Sequence, residues 1–204
     1  MSRTRRLAVV LLLNLGLVTA LVITGLTAHS LAVLAAGADY LADAAAIGVS
    51  LLAIWIAARP RGYPRVTTLA ALVNAGWLLV LNVAIAVAAI WHLAAGARQV
   101  EGLPVLVVSA IAAAVMLAGA LILGGDGDGD GTEDLNVKAA LLDTAADAAA
   151  AAGVAASGAV ILGLGGWYWL DPATALAIAV IIGYHALKLT RKIAVALGPP
   201  RASH

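Results

Sequence analysis

The stretch Ala38-Asp39-Tyr40-Leu41-Ala42-Asp43 decides how this chain is read. It lies inside a long apolar segment and carries two carboxylates four residues apart, a spacing that puts both on one helix face. A near-copy follows later in the chain, Leu142-Asp143-Thr144-Ala145-Ala146-Asp147. An alanine-rich run comes after each pair, Ala44-Ala45-Ala46 and Ala148 through Ala152. A charge inside a bilayer is expensive and marks an ion or proton path.

Composition argues that a bilayer is present. The 204 residues are 63% hydrophobic and 11% charged. A soluble domain carries about 25% charged residues. So much apolar surface does not fit inside one globular core. The net charge of +1 supplies no basic field for nucleic acid. There is no cysteine, which excludes disulfides and thiolate metal sites.

A basic head, residues 1–6 with Ser2-Arg3-Thr4-Arg5-Arg6, precedes six apolar segments at about 7–26, 31–57, 67–91, 103–123, 136–162 and 171–193. Each has about the 20 residues needed to cross a bilayer. The first is too long for the apolar core of a signal peptide, and five more follow. Breaker-rich connections separate the segments, among them Ala58-Arg59-Pro60-Arg61-Gly62-Tyr63-Pro64-Arg65 and Gly124 through Asp134. Asp171-Pro172 is a good helix start. The expected fold is an all-α membrane protein, a six-transmembrane-helix bundle over residues 7–195, with a short tail at 196–204 and no C-terminal cytoplasmic domain.

Basic residues set the expected orientation. With the N-terminus in the cytoplasm, eleven of the twelve lie on the cytoplasmic side and Arg98 alone lies outside, as the positive-inside rule requires. Both termini are then cytoplasmic. Trp91, Trp167, Tyr168 and Trp169 gather at the outer interface. The expected location is the cytoplasmic (inner) membrane of the cell, crossed several times.

No lysine or arginine lies well inside an apolar segment, so ion pairing does not explain the aspartates. If Asp39, Asp43, Asp143 and Asp147 face one another, they cannot all ionise without a cation. Protons and a divalent metal are the natural occupants, and exchanging one for the other is a transport mechanism. Four oxygens without sulfur or imidazole suit harder cations, which favours Mn²⁺, although zinc also accepts carboxylates. The alanine runs let the second and fifth helices approach closely.

The segment His29-Ser30-Leu31-Ala32-Val33-Leu34-Ala35-Ala36-Gly37-Ala38-Asp39-Tyr40-Leu41-Ala42-Asp43 resembles the first signature of the cation diffusion facilitators. Gly62-Tyr63-Pro64-Arg65, the run from Asn136 to Asp147, and Trp169-Leu170-Asp171-Pro172 are similar to further stretches of that family. The resemblance covers about residues 8–195. It implies proton-coupled efflux of divalent cations from the cytoplasm by a homodimer, with Asp39, Asp43, Asp143 and Asp147 as transport-site ligands. Many zinc-transporting members have histidine at the position of Asp143, and some also at Asp39. The all-aspartate pattern here is similar to the manganese-type members. The implied protein is a transporter and not an enzyme, with no prosthetic group. Its partners are Mn²⁺ or Zn²⁺, protons and the lipid bilayer, with no nucleic acid.

Two alternatives belong to other classes. An intramembrane aspartyl protease also needs two membrane aspartates, but its Tyr-Asp and Gly-x-Gly-Asp motifs are not matched, since Asp39 precedes Tyr40. A membrane scaffold or regulator is the other, and an intact set of four carboxylates argues against it. Asp126-Gly127-Asp128-Gly129-Asp130-Gly131 begins like an EF-hand loop. Its twelfth position is Val137, where a bidentate glutamate is needed. A flexible solvated linker is the expectation, ahead of a loop that gathers cations weakly at the cytoplasmic mouth. His29 is read as a helix-end residue, His92 and His185 as interfacial, and Asn14 and Asn74 as bonding across helices.

Overall fold

In the computed structural model the described backbone covers residues 3–57, 64–125 and 133–197. It forms six helices: α1 (Arg3–Thr27), α2 (Leu31–Ala57), α3 (Pro64–Ala95), α4 (Gly102–Gly125), α5 (Glu133–Leu164) and α6 (Leu170–Leu197). No strand occurs among the described residues. The helices extend beyond the apolar segments at several ends, so Arg3, Arg5 and Arg6 belong to the start of α1. The acidic Gly-Asp loop lies outside the described residues, as does most of the arginine-rich connection before α3.

Alanine makes up much of the described interior, beside larger side chains such as Leu21, Val33, Tyr40, Val105 and Val154, and many large apolar side chains cover the exterior. Ala32, Ala35, Ala36, Ala112, Ala151 and Ala175 are buried, while Val80, Val83, Val87 and Ile90 along α3 and Val107, Ile111 and Val115 along α4 are exposed. Buried alanines beneath an apolar exterior suit a lipid surround, where close backbone packing holds helices together. Gly76–Ala95 and Thr144–Leu164 are long and apolar enough to cross a membrane. Only 11% of the tested window within Gly76–Ala95 is buried, which a core helix of a soluble protein would not tolerate. The apolar stretches found among the described residues of the other four helices are shorter.

Glycine sets the closest crossings. A Cβ on Gly158 would stand 2.8 Å from the Leu106 amide nitrogen, and one on Gly102 would stand 2.7 Å from the Gly158 carbonyl oxygen. These two glycines let α4 and α5 form the most extensive helix pair of the bundle. The hairpin of α1 and α2 closes through His29, which adopts a left-handed φ of 57°. Ser30 N–H donates across it to the Gly25 carbonyl at 2.9 Å, the longer bond of a Schellman turn. His29 is exposed there, in keeping with a helix-end role.

Candidate cation site

The four aspartates lie on α2 and α5, and these two helices touch. The point of contact is at the level of the acidic pairs. Tyr40, beside Asp39, is 1% exposed, and its hydroxyl donates to the backbone carbonyl of Asp147 at 3.5 Å. That length is at the outer limit of hydrogen bonding, so it marks adjacency more than strength. Asp39 and Asp147 are both half-buried, neither sealed in the core nor free on the surface. The side chains of Asp43 and Asp143 lie outside the described set. Among the described residues no three His, Asp or Glu side chains form a metal-holding group.

Chemically, Asp39 and Asp147 offer carboxylate oxygens only, and partial burial strengthens the attraction of a carboxylate for a cation without closing off access to it. Ala44, Ala148 and Ala151 are buried on the same two helices. Small side chains there leave room for the helices to approach, as the alanine runs suggest.

A fifth carboxylate, read from the sequence only as part of a helix start, is the most thoroughly buried among the described residues. Asp171, on the first turn of α6, is 1% exposed. Its Oδ1 accepts from the Ser30 hydroxyl at 2.5 Å and from the Ala32 N–H at 3.3 Å, and its Oδ2 accepts from the Leu31 N–H at 2.7 Å. Ser30 Oγ in turn accepts from the Val33 N–H at 3.1 Å. Ser30 is therefore the N-cap of α2, and Asp171 caps the same helix from α6. The N-terminal ends of two helices converge on one carboxylate, and backbone N–H groups of α2 point at it. Serine before an apolar run signals an N-cap, but nothing local to Asp171 reveals that it serves another helix.

Asn82 was also missed. It is buried on α3 and donates from Nδ2 to the Ala179 carbonyl on α6 at 2.7 Å. The side chains of Asn14 and Asn74, the two expected to bond across helices, lie outside the described set, as does that of His185. His92 is half-buried near the end of α3. Trp167 and Trp169 are about half exposed beside the start of α6, with ring centroids 6.0 Å apart.

A six-helix bundle with many buried alanines, an exterior rich in large apolar residues and acidic pairs on two touching helices has the features of an integral membrane protein. Residues 7–197 match the family model described as the cation efflux transmembrane domain, and the chain belongs to that family. It is 32% identical over 197 residues to the zinc transporter ZitB of Yersinia pseudotuberculosis, covering 94% of this chain and 62% of that protein. It is 34% identical over 193 residues to the metal cation efflux system protein CzcD of Cupriavidus metallidurans, covering 91% and 58%. A cadmium, cobalt and zinc/H(+)-K(+) antiporter of Bacillus velezensis is 30% identical over 176 residues, covering 81% and 55%. The chain thus spans about three-fifths of the length of these relatives. The family is one of transporters rather than enzymes, which sets the protease alternative aside.

Proposed function

We propose that this chain is the membrane part of a divalent-cation exporter that exchanges metal for protons at Asp39, Asp43, Asp143 and Asp147. The observation that carries this reading is the meeting of α2 and α5 at Tyr40 and Asp147, since a shared site needs the two acidic pairs at one level. Membership of the cation efflux family and relatives named for zinc, cadmium and cobalt support a metal cargo. All six helices cross the inner membrane, both termini face the cytoplasm, and two copies assemble.

The all-aspartate donor set extends the cargo toward Mn²⁺. Oxygen-only sites favour harder cations, while imidazole raises the preference for zinc. Coupling to protons follows from the same cluster: carboxylates at short range take up protons when metal leaves and release them when it returns.

Flux into proteoliposomes tests this, with a panel of Mn²⁺, Zn²⁺, Fe²⁺ and Co²⁺ and an imposed pH gradient. Asp43→Ala and Asp147→Ala should abolish uptake. Unchanged flux in both variants would sink the site assignment, and flux indifferent to the pH gradient would sink the exchange mechanism.

A further inference from the structure

We propose that Asp171 is a positioning residue for the cation site: by holding the first turn of α2, it sets the depth and rotation at which α2 presents Asp39 to α5. This rests on the transport reading above. Asp171 is not itself at the site, because Leu31 and Asp39 are separated along α2 by about 12 Å of helix rise.

The clasp restrains α2 in two ways. The Leu31 and Ala32 amides fix its axial position, since they point along the helix axis into the carboxylate. The Ser30 hydroxyl bonds Asp171 while its oxygen receives the Val33 N–H, so the cap side chain of α2 and the capping carboxylate of α6 are bonded to each other as well as to the helix. The turn is also tied to the α3–α4 connection, where Glu101 N–H donates to the Ala28 carbonyl at 3.2 Å. The contact of α2 with α5 near Asp39 is narrow by comparison with its contact with α6. α2 packs still more extensively on α1 and α3, and what α6 adds is a side-chain clasp on the first turn of α2. Metal coordination tolerates only about 0.2 Å of error in ligand distance, whereas a slip of one residue moves a helix by about 1.5 Å and turns it by about 100°. A clasp that prevents such slips acts directly on ligand geometry.

Asp171→Asn is the decisive variant. It keeps one carbonyl acceptor but turns the other oxygen into an amide donor facing the Leu31 N–H. In proteoliposomes the apparent KM for Zn²⁺ and Mn²⁺ should rise about tenfold, the scale of outer-shell changes at metal sites, while the maximal rate per folded protein changes little. Ser30→Ala should raise KM in the same sense, and Ser30→Thr, which keeps the hydroxyl, should restore it. A folded Asp171→Asn protein with wild-type KM, or with only a reduced maximal rate, overturns the proposal.

A second measurement needs no transport. Because the chain has no cysteine, Thr27→Cys and Trp169→Cys, both at exposed positions, take spin labels uniquely. Their distance distribution should broaden in Ser30→Ala and stay narrow in Ser30→Thr. An equally narrow distribution in Ser30→Ala overturns the clasp. A wild type without metal flux overturns the transport reading instead, and the label distances still decide the clasp.

Discussion

Tyr40 on α2 lies against Asp147 on α5, its side chain sealed from solvent and its hydroxyl 3.5 Å from the Asp147 carbonyl oxygen. The ring fills the space between two helices that each carry an acidic pair, so its volume matters more than its long hydrogen bond. Hydrogen bonds between membrane helices average about 0.6 kcal/mol, whereas removing a buried aromatic ring costs about 3 kcal/mol or more through the cavity it leaves. Tyr40→Phe should therefore unfold within about 1 kcal/mol of wild type, and Tyr40→Ala should lose about 3 kcal/mol. Denaturation in mixed micelles measures both. Equal losses would mean that the hydroxyl, not the ring, joins the helices.

The glycines of α5 are not equivalent. Gly158 faces the backbone of Leu106, which cannot yield, while a Cβ on Gly153 would meet nothing within 4 Å. Gly158→Ala should destabilise by about 1–3 kcal/mol, as overpacking does. Gly153→Ala should be neutral or stabilising by about 0.5 kcal/mol, through helix propensity alone. Thermal unfolding of the two variants should move in different directions.

Asn82 and Gly183 form a coupled pair between α3 and α6. A Cβ on Gly183 would stand 2.7 Å from Asn82 Nδ2, the atom that donates to the Ala179 carbonyl. Gly183→Ala should push that amide off its acceptor, costing about 1 kcal/mol. In an Asn82→Ala background the same substitution should cost almost nothing. A double-mutant cycle measures the difference, and strict additivity would show that the two residues act apart.

Bound cargo should stabilise the fold. A ligand at about one hundred times its Kd adds about 2.7 kcal/mol, so Mn²⁺ or Zn²⁺ should raise the unfolding temperature of the wild type. Asp39→Asn and Asp147→Asn should show little or no rise, because each removes a carboxylate of the proposed site. Mg²⁺ at equal concentration should raise it less, since it gives up its water shell reluctantly. A rise that persists in both variants would place the stabilising metal elsewhere.

The helices and the acidic pairs were legible from the sequence because both are local properties. Apolar length governs where a chain can become a membrane helix, and a four-residue spacing puts Asp39 with Asp43, and Asp143 with Asp147, on one face wherever the helix goes. Helix punctuation was legible on the same grounds: Gly165 and Gly166 take left-handed φ values of 56° and 99° in the gap between the fifth and sixth apolar segments. The ends of the helices were less so, since α1 begins at Arg3 and polar residues continue a helix once an apolar stretch has nucleated it.

What only the tertiary structure decided is which helix end meets which. Asp171 reads locally as the opening of its own helix, yet its oxygens serve Ser30, Leu31 and Ala32, some 140 residues away in sequence. Asn82 looks like one polar residue in an apolar run until Ala179 presents its carbonyl. Neither partner is encoded by spacing, because both bonds depend on how helices distant in the chain are packed together. The pairs Asp39–Asp43 and Asp143–Asp147 were written in the chain separately. It is the packing of α2 on α5, through Tyr40, that sets Asp147 beside the helix turn that carries Asp39.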